Sequence, residues 1–138
     1  MFEKILVALD GSEHTAKALQ AAADLAKLSG AEVVVLHVRE GYFVGRAGEV
    51  PIEDHAEASK IVDDAVEQLT AAGVKATATV RGCQHGRVAR EILGEADSSR
   101  ATIIVMGSRG VNDLEGLLIG STTHKVLHLG KLPVLVVP

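Results

Sequence analysis

Three glycines near the end of the sequence have a spacing that suits a phosphate-binding site. Two residues separate Gly107 from Gly110, nine more separate Gly110 from Gly120, and Ser121 and Thr122 follow directly. Glycine lets the backbone approach a ligand closely, and a tight glycine loop can aim several amide N–H groups at an anion. Because a short helical pattern starts after Gly120, we expect helix-terminal amides and two hydroxyl groups to face a phosphate there.

Asp10 is a second candidate for contact with a ligand. It follows five consecutive apolar residues and precedes Gly11 and Ser12. A carboxylate accepts hydrogen bonds from the hydroxyl or amino groups of a sugar or a base. The same carboxylate could instead cap the helix that is expected to begin after Ser12. The sequence leaves both interpretations open.

Other potentially reactive residues form weaker patterns. His124 and His128 have the spacing of two metal ligands on a helix, but no third ligand accompanies them, so we interpret them as surface or packing histidines. Cys83 and His85 lie two residues apart in an expected loop, which does not make a thiol–imidazole pair. The sequence therefore predicts neither a metal site nor a catalytic residue.

The elements that must position these residues alternate between two periodicities. Continuous apolar runs indicate strands buried on both faces, and stripes of period 3.6 indicate helices. The strands are predicted at 5–9, 33–38, 76–80, 102–106 and 133–137, and the helices at 13–29, 53–72, 86–96 and 121–129. Residues 39–52, with three glycines and Pro51, are expected to form a long connection, and Gly30 is expected to end the first helix.

This alternation predicts one α/β domain over residues 1–138, with an open parallel five-stranded sheet and helices on both faces. Ligands of such sheets bind beyond the carboxyl ends of the strands, where the strand order reverses. In the order 3-2-1-4-5 the first and fourth strands are neighbours. Asp10 and Gly107 would then face each other across one crevice.

Composition limits the function classes. The chain has 138 residues, a formal net charge of −4, 47% hydrophobic and 2% aromatic residues. An acidic balance with few aromatic residues argues against nucleic-acid binding. The N-terminal segment lacks the pattern of a signal peptide, and no apolar run approaches the ~18 residues that span a bilayer. With Cys83 as the single cysteine, we expect a cytoplasmic protein that is not bound to a membrane.

The glycine spacing resembles the nucleotide motif of the universal stress protein family, G-x2-G-x9-G-[ST]. Residues 4–12 are similar to the opening of that family, residues 104–110 to its fourth strand and loop, and residues 132–137 to its closing strand. The resemblance covers essentially the whole chain. It implies the adenine nucleotide alpha hydrolase-like fold with strand order 3-2-1-4-5.

The resemblance also implies the ligand and its contacts. The ligand would be ATP, or AMP or another adenine nucleotide, and Mg²⁺ would arrive with the phosphates. By position in the family motif, four residues would surround adenine and ribose: Ala8, Asp10, Val38 and Met106. Six others would hold ribose and phosphates: Gly107, Arg109, Gly110, Gly120, Ser121 and Thr122.

The expected function is that of a nucleotide-binding stress regulator. The last strand would form an edge without charges, and the family commonly dimerises there, so we expect a homodimer through Val134–Val137. A slow ATPase and a nucleotide-free dimeric adaptor remain alternatives. A receiver domain is rejected because it needs an acidic pair after the first strand and an aspartate after the third, where this chain has Arg81 and Gly82.

Overall fold

The structure, a computed structural model, describes residues 2–43, 49–51, 54–108 and 119–138. Within these residues, strands and helices alternate along most of the chain. The strands are β1 (Lys4–Leu9), β2 (Glu32–Phe43), β3 (Glu49–Pro51), β4 (Ala76–Gln84), β5 (Ile103–Gly107) and β6 (Val134–Val137). The helices are α1 (Glu13–Ser29), α2 (His55–Ala71), α3 (Val88–Ser99) and α4 (Ser121–Leu129).

Five strands form one parallel sheet in the order β4-β2-β1-β5-β6. Numbered along the chain without β3, these strands have the order 3-2-1-4-5, which confirms the predicted topology. β1 is central: Leu9 lies opposite His37 of β2, and Val7 lies opposite Val105 of β5. The carboxyl ends of β1 and β5 are therefore neighbours.

Helices cover both faces of the sheet, as predicted. On one face, Ile5 and Val7 of β1 pack in a hydrophobic cluster with buried residues of α1 and α2. On the other face, Leu6 packs with buried residues of α3 and α4. Because successive side chains of a strand point to opposite faces, the continuous apolar runs are buried on both sides.

Glycines set two of the helix boundaries. Gly30 ends α1 in the left-handed conformation with φ of 74°, and its N–H donates to the Ala26 carbonyl. This confirms the predicted end of the helix. Gly86 has φ of 87°, a conformation that helical residues do not adopt, so α3 begins at Val88 rather than at Gly86.

The prediction of a plain connection over 39–52 was wrong at both ends. β2 continues to Phe43, and β3 pairs with it in the antiparallel direction, with Gly41 opposite Pro51. Proline is tolerated in such a short strand at an edge. β4 also continues beyond the predicted end at residue 80 to Gln84, since the longer β2 offers it a partner as far as Gly41.

Candidate functional site

The order of the strands creates a cleft between the carboxyl ends of β1 and β5. From β1 the chain passes through α1 to β2 on one side, whereas β5 lies on the other side. Connections therefore leave the two strands in opposite directions, which opens a crevice at this edge of an α/β sheet. Asp10 follows β1 directly, and Gly107 is the last residue of β5.

The Asp10 carboxylate stabilises the turn between β1 and α1. Its Oδ1 accepts hydrogen bonds from the Ser12 N–H at 2.8 Å and from the Ser12 hydroxyl at 2.5 Å. Ser12 is the N-cap residue, but its own side chain makes no capping bond. In the described part of the chain, no donor reaches Oδ2 of Asp10. One carboxylate oxygen thus stabilises the turn, and the other is left for a further donor.

The start of α4 is fastened to the end of β5. The Gly120 N–H donates to the Ser108 carbonyl at 2.6 Å, and the Thr123 hydroxyl donates to the Gly107 carbonyl at 2.8 Å. The Ser108 N–H in turn donates to the Val137 carbonyl at 2.9 Å. The sheet therefore fixes the position of the helix N-terminus at the cleft.

That helix N-terminus has the features of an anion site. The first amides of a helix have no partner within it, and the helix dipole adds a partial positive charge. The N-cap residue Gly120 offers no side chain to these amides, while Ser121 is exposed and Thr122 is half-buried. Gly120 has an ordinary extended backbone, with φ of −72°. Its backbone conformation therefore does not itself require a glycine.

Three apolar side chains near the carboxyl ends of β1, β2 and β5 form what we call the apolar floor: Ala8, Val38 and Met106. All three belong to the hydrophobic cluster on the α3 and α4 face of the sheet. Met106 is buried, whereas Ala8 and Val38 are only partly buried and keep exposed apolar surface at the carboxyl edge. Such a surface can pack against a planar aromatic ring, and the neighbouring polar groups can orient it.

Eight of the ten predicted site residues lie in the described part of the chain, all in or next to β1, β2 and β5 or at the start of α4. They are Ala8, Asp10, Val38, Met106, Gly107, Gly120, Ser121 and Thr122. Arg109 and Gly110 lie outside the described residues. The structure therefore brings the predicted carboxylate, the apolar floor and the helix start to the same edge of the sheet.

Sequence reasoning missed two residues that support the site. His37 is 3% exposed, and its Nδ1 lies 2.6 Å from the Leu9 carbonyl, directly before Asp10. Since a carbonyl oxygen only accepts, Nδ1 carries the proton. Thr123, also 3% exposed, holds α4 through the Gly107 carbonyl. A polar residue inside an apolar strand is the signal that could have singled out His37.

The described residues do not form a metal cluster or a membrane-spanning helix. Among the described residues, no three or more His, Cys, Asp or Glu side chains are grouped so that they could hold a metal ion. The rings of His124 and His128 stack, with centroids 6.1 Å apart. No helix in the described ranges combines the length and apolarity needed to cross a bilayer.

Comparisons with known proteins agree on one family. The sequence model of the Universal stress protein family matches residues 1–138. The chain is 39% identical over 150 residues to Universal stress protein YxiE of Bacillus subtilis (strain 168), with 99% of each chain covered. It is similar in structure to the protein MJ0577 of Methanocaldococcus jannaschii, with a TM-score of 0.82, 28% identity, and 99% and 96% of the two chains covered.

Two other similar structures are complexes with a nucleotide. The universal stress protein from Archaeoglobus fulgidus in complex with dAMP has a TM-score of 0.76 and 26% identity, and all of both chains is covered. A universal stress protein in complex with cAMP has a TM-score of 0.71 and 25% identity, with 99% of this chain and 96% of that chain covered.

Proposed function

This chain belongs to the universal stress protein family, and we propose that it is a stress-response regulator that binds an adenine nucleotide in the cleft between β1 and β5. The observation that carries the proposal is the start of α4, which is fastened to the Gly107 and Ser108 carbonyls beside Asp10 and the apolar floor. The complexes of two similar proteins with dAMP and cAMP support the ligand class.

The phosphates would lie at the start of α4. Unpaired amides and the helix dipole favour negative charge there, and the hydroxyl groups of Ser121 and Thr122 add donors. Gly120, which has no side chain, would let a phosphate approach the backbone closely. Arg109 and Gly110 complete the phosphate contacts in this proposal, by their position in the G-x2-G-x9-G-[ST] motif.

Adenine and ribose would lie over the apolar floor. The exposed parts of Ala8 and Val38 would pack against the planar base, with Met106 beneath them. Oδ2 of Asp10 would accept a hydrogen bond from a ribose hydroxyl or from the adenine amino group, because Oδ1 is already bonded to Ser12.

ATP is the nucleotide that we propose, with Mg²⁺ entering on its phosphates. The donors at the start of α4 are amides and hydroxyl groups, which suit phosphate oxygens, and Mg²⁺ commonly binds through substrate phosphates and water. AMP and cyclic AMP share the adenine and ribose and differ at the phosphate end. Affinities for the three ligands therefore separate the contributions of the base and of the phosphates.

We also propose a homodimer through β6 that works in the cytoplasm, where the thiol of the single cysteine, Cys83, stays reduced. β6 pairs with β5 in the described sheet and lies at its end. Leu135 in this strand is 39% exposed, and an apolar edge strand invites a second chain. Sedimentation at micromolar concentration should show a dimer, and Leu135→Lys should produce monomers. A wild-type monomer under these conditions would contradict the proposal.

A calorimetric titration with ATP, AMP and cyclic AMP tests the nucleotide proposal. We expect saturable binding of ATP to the wild type, and a thermal stabilisation of about 2.7 kcal/mol at a hundredfold excess over Kd. Gly120→Val should remove both, because its side chain occupies the space of the phosphate. The melting temperature of the unliganded variant serves as the control for folding.

Two results would favour the alternative functions. If none of the three nucleotides produces heat and mass spectrometry of the denatured wild type finds no adenylate, the chain is a nucleotide-free adaptor and the proposal fails. Robust ADP release that Asp10→Ala abolishes would instead identify a slow ATPase.

A further inference from the structure

A groove between α3 and α4 concentrates positive charge outside the cleft. Its volume is about 410 Å³. Six basic side chains line it, from the loop before α3, from α3 and from α4: His85, Arg87, Arg90, His124, Lys125 and His128. Among the described residues, its lining shares none with the predicted nucleotide contacts. We call this feature the basic groove.

Three cations of the basic groove form no ion pair with the described part of the chain. Arg87, Arg90 and Lys125 are exposed, and no described carboxylate lies within 4.0 Å of their charged groups. Glu40 approaches the rim, where its Oε2 lies 2.8 Å from Nδ1 of His85 and accepts the Gly86 N–H. Since the whole chain carries a formal charge of −4, this excess of positive charge is local.

The start of α3 lies beside the groove. Arg87 is the N-cap residue, and its side chain makes no capping hydrogen bond. Gly86 and Ala89, on either side of it, also line the groove. The helix dipole therefore reinforces the field of the three cations at this end.

We propose that the basic groove binds a small oligophosphate, a linear anion of about three phosphate groups. Its volume lies in the range of about 300–1,000 Å³ that is typical of small-molecule sites. Its lining supplies two guanidinium groups, whose forked N–H donors match phosphate oxygens, and one ammonium group. A folded protein partner would need a larger surface than this groove offers. The proposal does not depend on nucleotide binding in the cleft.

Calorimetric titration of the full chain with inorganic tripolyphosphate, in low salt, tests this site. We expect saturable binding that weakens steeply as salt is added, because ionic contacts between exposed groups are screened. The double variant Arg90→Glu, Lys125→Glu should bind tripolyphosphate at least tenfold more weakly. Lys17→Glu, Lys27→Glu changes the net charge equally with two exposed residues of α1 and should bind within about twofold of the wild type.

Gly120→Val distinguishes the groove from the cleft. If tripolyphosphate binds to the groove, this variant keeps wild-type affinity for it even where nucleotide binding is lost. Loss of tripolyphosphate binding in Gly120→Val, with wild-type affinity in the groove variant, would overturn the proposal, and so would equal weakening in both double variants. A hexaglutamate peptide that binds as tightly as tripolyphosphate would also overturn it, in favour of an acidic peptide. The melting temperatures of all variants verify that they are folded.

Discussion

The amino and carboxyl edges of the same parallel sheet use their polar groups differently. At the amino edge, the Thr102 N–H and hydroxyl both donate to the Lys4 carbonyl, and the Lys4 N–H donates to the Thr102 hydroxyl. Nearby, the ammonium group of Lys75 pairs with Glu32 at 3.0 Å. At the carboxyl edge, Asp10 uses one oxygen for the turn, and the start of α4 faces the cleft.

This difference separates the edge that connects strands from the edge that can bind a ligand. Polar groups bonded to each other gain little from a ligand, whereas helix-terminal amides without side-chain caps gain hydrogen bonds when an anion arrives. Parallel topology contributes to this, because it places the starts of the helices at the carboxyl ends of the strands. Substitutions at the two edges should therefore have similar effects on the free energy of unfolding. Only those at the carboxyl edge should lower nucleotide affinity.

Substitutions at the start of α4 should have the largest effect on nucleotide affinity. Ser121→Glu should weaken nucleotide binding at least about a hundredfold, because two unit charges about 4 Å apart interact by roughly 4 kcal/mol near a protein surface. The fold should survive, since Ser121 is exposed and an acidic residue in the first helical turn is favourable. Ser121→Gln is the neutral control. Calorimetry showing equal losses in both variants would mean that charge at this position is irrelevant.

A smaller effect is expected from His37, which supports the turn before Asp10. His37→Leu removes the donor to the Leu9 carbonyl and should lower the free energy of unfolding by about 1–3 kcal/mol. Nucleotide affinity should fall as well, because Asp10 directly follows Leu9. His37→Asn retains a donor near the Nδ1 position and should recover part of both losses. Urea denaturation and titration measure them, and unchanged affinity in His37→Leu would exclude this positioning role.

Substitution of one threonine at each edge compares the two edges directly. Thr123→Val removes the hydrogen bond to the Gly107 carbonyl, and Thr102→Val removes the one to the Lys4 carbonyl. Each should cost about 0.5–1.5 kcal/mol of stability. Nucleotide affinity should fall severalfold in Thr123→Val and stay unchanged in Thr102→Val. If both variants bind alike, the position of α4 does not depend on this bond.

Removal of the ion pair at the amino edge should have the smallest effect on nucleotide affinity. The hydrogen bond and charge of Lys75 lower the pKa of Glu32 below its ordinary value of 4.5. The pair therefore stabilises the fold above that pH, and its contribution is lost as the pH falls through the lowered pKa. Lys75→Ala should return the pKa of Glu32 toward 4.5 in an NMR titration without altering nucleotide affinity. A change in affinity would contradict the separation of the two edges.

The sheet, and the cleft at the carboxyl ends of its central strands, could be predicted from local patterns. Apolar runs identified β1, β2 and β5, and Gly30 identified the end of α1. The glycine spacing predicted a phosphate site at the start of α4, because this motif consists of residues that are close in sequence. Asp10 was also proposed as a ligand contact, but only the structure shows that Ser12 bonds one of its oxygens and that the other has no described partner.

Features that depend on tertiary pairing could not be predicted in this way. β2 extends to Phe43 because β3 and β4 offer it partners, which its own sequence does not reveal. The contacts of His37 with Leu9 and of Thr123 with Gly107 join residues that are distant in the chain. The basic groove likewise appears only when α3 and α4 lie side by side.

The claim that an adenine nucleotide binds between β1 and β5 is tested by a crystal structure of the protein grown with millimolar ATP. We expect phosphate density at the amides of Ser121 and Thr122, adenine over Ala8 and Val38, and a ribose or amino group beside Oδ2 of Asp10. The claim would be contradicted by an α4 start that remains without an anion, or that is filled by the protein's own side chains, at a nucleotide concentration that saturates binding in solution.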